Sequence, residues 1–351
     1  MTDHAITRFA VIGYGLFGKH HARAIQSSSS TELVAIAVPS AESQAAARQA
    51  HPDVTVVADY RQLLGRDDID VVNVVLPNLL HFQVASEAIE AGHHVLLEKP
   101  MAVSVADCDR LIQLAHNHQR VLAVGHELRL SSLWGQVKQL IDAGTIGTPQ
   151  YVLVELSRFP YRPGSNGWRY DQQQVGSWIL EEPIHFFDLA RWYLADCGEA
   201  TSIYARANSR DPQRPQLHDN FSSIVNFPGE AYAVISQSLA AFGHHQVGKV
   251  VGSQGAIWAE WGAADARSSE ARFSLQYGLA DNVTNVPLDA MTGELVELKL
   301  EIEAMAVAVQ QATPPPATGE DGRWSTLLCL AAGESIRRSE AVGLDDFLEN
   351  L

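Results

Sequence analysis

Cysteine is scarce in this chain. Three occur in 351 residues (Cys108, Cys197 and Cys329), far apart and none in a C-x-x-C pair. A disulfide framework and a zinc knuckle are therefore excluded as organising devices. Basic residues are outnumbered, 25 against 41 acidic, for a formal net charge of −16. Such a surface repels phosphate backbones and anionic lipid, so neither nucleic acid nor membrane is an expected partner. No apolar run approaches the ~20 residues that span a bilayer. The opening Met1-Thr2-Asp3-His4 lacks the basic region of an export signal, and the expected location is the cytoplasm. No H-E-x-x-H spacing occurs, and His244-His245 would project to opposite sides of a strand, so no metal is expected.

What is present suits an ordinary globular protein of two domains, 46% apolar and 19% charged. At this mass roughly 75% of the unfolded surface is buried on folding, so no metal or disulfide is needed for stability. The first 125 residues alternate short β-branched runs with amphipathic stretches. Phe9–Ile12, Leu33–Val38, Val54–Val57, Val71–Leu76, Val95–Leu97 and Val121–Val124 read as strands buried on both faces. Phe17–Gln26, Ala41–Gln49, His81–Ala91 and Val105–Asn117 carry helical spacing between them, the last opened by a Ser104/Asp107 capping box. This is the pattern of a doubly wound α/β, Rossmann-type domain.

From residue 126 to 351 the pattern changes. A helix over Leu133–Ala143 precedes strand candidates at Tyr151–Leu156, Thr201–Asn208, Ser222–Phe227, Ala231–Leu239 and Gln246–Gly252. Their polar-interleaved alternation predicts an α+β domain with a largely antiparallel open sheet. A helix starting at Trp178 or Pro183 and ending at Leu194 interrupts them. Thr313–Gly319 reads as a loop and Trp324–Arg338 as a terminal helix that packs back on the first domain. One sheet face has no predicted helix to cover it, so a homodimer or homotetramer is expected.

Two motifs carry the chemistry. The first strand runs into Gly13-Tyr14-Gly15-Leu16-Phe17-Gly18, the G-x-G-x-x-G spacing that opens a dinucleotide-binding helix. The first glycine permits the tight turn, the second lets phosphate approach the backbone, and the third lets helix and strand pack closely. The alternative is a purely structural turn, but the strand before and the helix after favour the cofactor. The second strand ends Val38-Pro39-Ser40 without the usual acid for the ribose hydroxyls. Ser40 and Ser43 could bond a hydroxyl or a phosphate, or merely cap a helix, and the nearest arginine is Arg48. NAD and NADP both stay open, with a lean to NAD. Pro77 and Asn78, after the strand ending at Leu76, are expected at the nicotinamide ribose, and His81 near cofactor or substrate. The fifth strand closes on Glu98-Lys99-Pro100, which aims a cation into the same crevice.

In the second half, Glu181, His185 and Asp188 are spaced i, i+4, i+7 and lie within about 60° of one another around a helix. Such a histidine can act as a general base with a carboxylate fixing its tautomer, or the set can be a solvated helix face. Ile184, Phe186, Phe187 and Leu189 make the helix too apolar for the second reading alone. Glu127, Arg129, Trp168 and Arg169 are candidate substrate contacts, each with a packing or ion-pair role as its alternative.

The combination of the glycine fingerprint, Glu98-Lys99-Pro100 and an H-x-x-D helix preceded by an acid resembles the Gfo/Idh/MocA oxidoreductase family. Gly167-Trp168-Arg169, Gly252-Ser253-Gln254-Gly255 and Thr318-Gly319-Glu320-Asp321-Gly322 before the last helix extend the match. The resemblance implies hydride transfer between NAD(P) and a hydroxyl or keto carbon of a sugar, sugar derivative or cyclitol. It places the family's catalytic lysine on Lys99, its histidine on His185 and its later aspartate on Asp188, with Glu181 where the family has an aspartate. Alternatives it leaves open are a redox-cycling lyase or glycosidase with tightly held NAD, and a non-catalytic cofactor sensor.

Overall fold

Six short, almost wholly apolar strands pair in parallel because both of their faces are covered. The computed structural model describes residues 6–288 and 290–351, and Met1-Thr2-Asp3-His4 with its missing basic region lies outside them. Contact clustering divides the chain into two units. One comprises Met1–Glu127 with Glu297–Arg323, the other Leu128–Val296 with Trp324–Leu351.

In the first unit β1 (Thr7–Ile12), β2 (Thr31–Ala37), β3 (Thr55–Val57), β4 (Val71–Val74), β5 (His94–Leu97) and β6 (Leu122–Val124) alternate with α1 (Leu16–Ser27), α2 (Ala41–Ala50), α3 (His81–Glu90) and α4 (Val105–Asn117). The sheet order is β3-β2-β1-β4-β5-β6, all parallel. Strand order therefore reverses between β1 and β4, and the carboxyl ends of these strands border a ligand crevice. Apolar clusters fill both sides, one around Phe9, Ile25 and Ile36, the other around Val72, Leu97 and Leu111. The expected cap forms: the Ser104 hydroxyl accepts from the Asp107 amide at 3.1 Å and donates to its carboxylate at 2.8 Å.

The second unit contributes α5 (Trp134–Asp142), β7 (Pro149–Arg158), the single turn α6 (Gln172–Val175), α7 (Pro183–Tyr193), β8 (Ser202–Asn208), β9 (Asn220–Asn226), β10 (Tyr232–Ser238) and β11 (His244–Gly252). Further along come β12 (Gly255–Ala263), β13 (Arg272–Leu279) and β14 (Asn282–Asn285), then α8 (Glu294–Gln311), which from Glu297 on belongs to the first unit, α9 (Gly319–Arg338), which returns to the second at Trp324, β15 (Val342–Gly343) and α10 (Leu344–Glu349). The nine-stranded sheet runs β14-β13-β12-β11-β7-β10-β9-β8-β15, antiparallel except where β10 lies parallel to β7. Helix α7 packs on one face, where Phe187 meets Phe221 edge to face at 6.1 Å. The other face carries a cross-sheet row, Tyr204, Ile224, Val234, Leu153, Lys249 and Trp258, each paired with the next. Tyr204, Ile224 and Trp258 in it are exposed.

The structure differs from the sequence reading in four respects. Strands β12 to β14 and helix α8 were not anticipated. Helix α8 hides its period because Glu297 and Glu301 face inward while Leu300 and Val307 are exposed. The segment Thr318–Gly322 does not precede the last long helix but starts it. There the Thr318 hydroxyl accepts from the Asp321 amide and donates to its carboxylate, so α9 begins five residues before Trp324. Nor is that helix terminal, since β15 and α10 follow. The stretch Glu297–Arg323 groups with the first unit, whereas the sequence-based division put it in the second.

Candidate active-site elements

The glycine turn between β1 and α1 fits a dinucleotide for steric reasons. Gly13 has φ +102°, and a Cβ there would sit 2.0 Å from the Val75 carbonyl oxygen. A Cβ on Gly18 would sit 2.1 Å from the Gly13 carbonyl oxygen. At Gly15 nothing lies within 4 Å of that position, so the backbone has open space in front of it. Helix α1 has no side-chain cap and no acid in its first turn, which leaves its amino-terminal N–H groups and positive end available to a phosphate. Tyr14 is buried, its hydroxyl 2.8 Å from His51, and Leu16 is exposed. The residues present fit an NAD(P) pyrophosphate at this turn.

Ser40 is the N-cap of α2 and accepts from the Ser43 amide at 3.3 Å. Arg48 reaches Gln44 and the Val56 carbonyl. Pro77 precedes a short 3-10 turn, Asn78–Leu80, whose Asn78 is buried.

Around the fifth strand, His81 and Glu98 are both buried. His81 is fully buried, with Nδ1 2.6 Å from the Pro100 carbonyl and Nε2 2.8 Å from the Leu76 carbonyl. Both its nitrogens thus lie within hydrogen-bond distance of backbone carbonyls. Glu98 is buried as well, its Oε1 3.0 Å from His21 Nε2, while His21 Nδ1 lies 2.8 Å from Asn73 Nδ2. Burial would raise the Glu98 carboxyl, but His21, Lys99 and His81 hold it below the usual range. Lys99 between them is half-buried.

Sequence reasoning missed His21 and Asn73, which have no signal beyond lying one turn from Gly18 and in the middle of a strand. It also missed Glu301 of α8. Burial raises the Glu301 carboxyl well above its usual value, and Glu98 and Glu127 add to this.

In the second unit, Arg129 and Asp188 form a bidentate pair, Nε to Oδ2 at 2.8 Å and a terminal nitrogen to Oδ1 at 2.7 Å, both residues buried. Arg129 also lies 5.4 Å from the Trp192 ring centre. Arg129, expected at the substrate, is thus an internal partner of Asp188. Both Asp188 oxygens accept from Arg129. His185 is buried on α7 just past Pro183, at the helix start. Glu181 sits before that helix, buried, and accepts from Arg169 Nε at 2.7 Å. The Arg169 guanidinium stacks on Trp168 at 4.7 Å, and its carbonyl accepts from the Trp178 indole at 2.8 Å. Glu127 belongs to the first unit and is half-buried. A separate cleft of about 410 Å³ is lined by Tyr170, Trp178, Arg210, Arg214 and their partner acids, and holds none of the catalytic candidates. Among the described residues no cluster of His, Cys, Asp and Glu could hold a metal ion, and no helix is long and apolar enough to cross a membrane.

A parallel sheet with a phosphate-fitting turn at its switch point, joined in one chain to an α+β domain, defines a dinucleotide-dependent two-domain oxidoreductase. A family model described as "Oxidoreductase family, NAD-binding Rossmann fold" matches residues 7–126, and one described as "GFO/IDH/MocA C-terminal domain" matches 134–258. The chain belongs to the Gfo/Idh/MocA oxidoreductases. It is 26% identical to myo-inositol 2-dehydrogenase of Thermotoga maritima, over 97% of this chain and 99% of that one. It is 27% identical to 1,5-anhydro-D-fructose reductase of Ensifer adhaerens, over 96% and 97%. Levoglucosan dehydrogenase, solved with NADH and L-sorbose, shares the fold with a TM-score of 0.85 at 20% identity, covering 97% of this chain and 99% of that one.

Two predictions come from this geometry. Gly15→Ala should keep the native melting temperature, because its Cβ meets nothing, yet weaken NADH binding at least about tenfold (~1.4 kcal/mol) in a fluorescence titration. Gly18→Ala should lose both stability and binding. An unchanged NADH affinity in Gly15→Ala would show that no phosphate lies there.

The second concerns Glu301. Its native carboxyl titrates above its unfolded value, so its stabilising contribution is complete below the unfolded value and is lost as pH rises toward the native one. Glu301→Gln should therefore gain stability relative to the native protein between pH 5 and pH 8, read from denaturant midpoints. A difference independent of pH would contradict the buried protonated state.

Proposed function

We propose that the chain oxidises a secondary or anomeric alcohol of a sugar, sugar derivative or cyclitol, or runs the reverse reduction, with NAD preferred over NADP. The first unit binds the cofactor and the second the substrate, and the protein works in the cytoplasm. The observation that carries this reading is the neighbourhood of one sheet edge. The Gly13–Gly18 turn follows β1, Pro77 and Asn78 follow β4, and Lys99 follows β5, three adjacent parallel strands. The names of the Thermotoga and Ensifer relatives, a cyclitol dehydrogenase and an anhydrosugar reductase, support the substrate class.

NAD(P) bound at the glycine turn supplies the hydride acceptor. Lys99 hydrogen-bonds the reacting oxygen and stabilises the negative charge that develops on it as the substrate C–H hydrogen leaves. His185 takes the hydroxyl proton as general base. Asp188 holds Arg129 and, through α7, the orientation of the helix that carries His185. Glu181 with Arg169 and Trp168 offers the substrate a fixed acceptor, donors and an aromatic face. A redox-cycling lyase needs a spare acid or base, and Glu181, buried and bonded to Arg169, suits that role poorly.

The assembly is a homo-oligomer, in which the row from Tyr204 to Trp258 meets its equivalent in a second copy. Its support is the run of aromatic and aliphatic side chains on a face that in one chain has water as its neighbour.

Reduction of NAD and NADP over a panel of inositols, aldoses and anhydrosugars tests the reaction. His185→Ala should lower kcat by ~10²–10⁴ with NADH affinity unchanged, and Lys99→Met should lower it comparably. Full turnover in either variant removes that residue from the chemistry. Light scattering should give a dimer or tetramer that Trp258→Glu shifts toward monomer, and a monomeric native protein would refute the interface.

A further inference from the structure

The two neighbours of Lys99 are each held by a buried histidine. On one side Glu98 is bonded through its carboxylate to His21 of α1, and His21 in turn meets Asn73 of β4. On the other side the Pro100 carbonyl faces His81 Nδ1 at 2.6 Å, while Nε2 of the same ring faces the Leu76 carbonyl at 2.8 Å. Both rings are fully buried. A carbonyl oxygen only accepts, so the ring nitrogen is the donor in each bond that His81 makes.

We propose that His21 and His81 are positioning residues that clamp the turn on either side of Lys99 and so give its ammonium one fixed place at the sheet edge. The inference rests on the role proposed above for Lys99. Each clamp also ties the turn to a cofactor-facing segment, His21 to the helix of the glycine fingerprint and His81 to the loop after β4. His21 packs edge-on against Phe17 of that fingerprint, ring centres 4.9 Å apart. The braces therefore connect the loops after β1, β4 and β5, and Lys99 is the residue they enclose. A displacement of about 1 Å at a reacting centre costs on the order of 100-fold in rate, so a lysine on an unbraced turn is a poor catalyst.

The protein contains its own control. His93 makes the same kind of bridge, Nδ1 3.0 Å from the Ile69 carbonyl and Nε2 2.9 Å from the Leu64 carbonyl, at the amino end of β5, away from Lys99. Replacing His81 or His93 by Phe keeps an aromatic ring and removes both ring nitrogens in each case. Both variants should lose thermal stability. His81→Phe, and likewise His21→Phe, should lower kcat about 10- to 100-fold with NADH affinity within about threefold of native, whereas His93→Phe should keep kcat. If His81→Phe does not fold, His81→Gln, which keeps an N–H donor, should show a smaller loss of the same kind.

A readout independent of turnover is the resonance of Lys99 after reductive ¹³C-methylation, assigned with Lys99→Arg among the five lysines Lys19, Lys99, Lys138, Lys249 and Lys299. It should hold a distinct position in the native protein and shift in His81→Phe but not in His93→Phe. Equal losses of kcat in His81→Phe and His93→Phe, or an unmoved Lys99 resonance, would overturn the clamp. If the native protein oxidises nothing on the panel, the proposed reaction fails, and the Lys99 resonance still decides whether the clamp exists.

Discussion

The first unit depends on one steric constraint, the contact of three backbone segments at the sheet's switch point. The Gly13 carbonyl lies where a Cβ on Gly18 would have to be, and the Val75 carbonyl lies where a Cβ on Gly13 would be. This packing brings the end of β1, the start of α1 and the end of β4 together with no side chain between them. It leaves α1 pointing its uncapped end outward over Gly15, where the chain offers nothing but space. A phosphate site therefore comes from removing side chains rather than adding ligands, and the helix dipole supplies the charge complement. The loop that places Lys99 follows the next strand of the sheet.

Buried charge is treated differently in the second unit. Arg129 with Asp188, and Glu181 with Arg169, take carboxylates out of water, which costs more than a surface pair returns. Each carboxylate is offset by a guanidinium, and Trp192 or Trp168 covers the cation. Removing one partner of a buried pair leaves the other unpaired, at a cost of about 3–5 kcal/mol. These pairs therefore fix the side chains around α7 more than they add to stability. A helix with Ile184, Phe186, Phe187 and Leu189 on its buried surface could slide or rotate at small cost, whereas a bidentate pair admits one register.

Much of this was legible in the chain itself. Near-continuous apolar runs separated by helical spacing gave the parallel sheet, because burial on both faces removes the polar alternation. The glycine fingerprint and Glu98-Lys99-Pro100 were readable because their demands are local: a turn, a close approach, a strand end. His21, Asn73 and Glu301 were not, since what makes each unusual is a partner 25 or more residues away and no local pattern records it. The internal partners of His81, Arg129 and Asp188 were out of view for one reason. Spacing on a helix says which residues share a face, but not whether a third group has already taken their hydrogen bonds. Helix α8 escaped for a related reason, its acids being inside and several of its aliphatic residues outside.

The division between what is generic and what is specific follows the two kinds of construction. Everything that fits a dinucleotide here is backbone: two carbonyl contacts, an open glycine and a helix end. Backbone geometry tolerates wide sequence change, and a relative at 26% identity and a solved structure at 20% span nearly the whole of this chain. Discrimination between polyols needs side-chain donors and acceptors in fixed places, because ring hydroxyls differ only in direction. Trp168, Arg169 and Glu181 have that rigidity, being stacked and bonded to one another before any ligand arrives. A carboxylate there that already accepts from arginine still has lone pairs for a hydroxyl donor. Glutamate in place of aspartate carries that acceptor one methylene further from the backbone. Where this pair ends is set by its side chains, and the fold alone does not decide it.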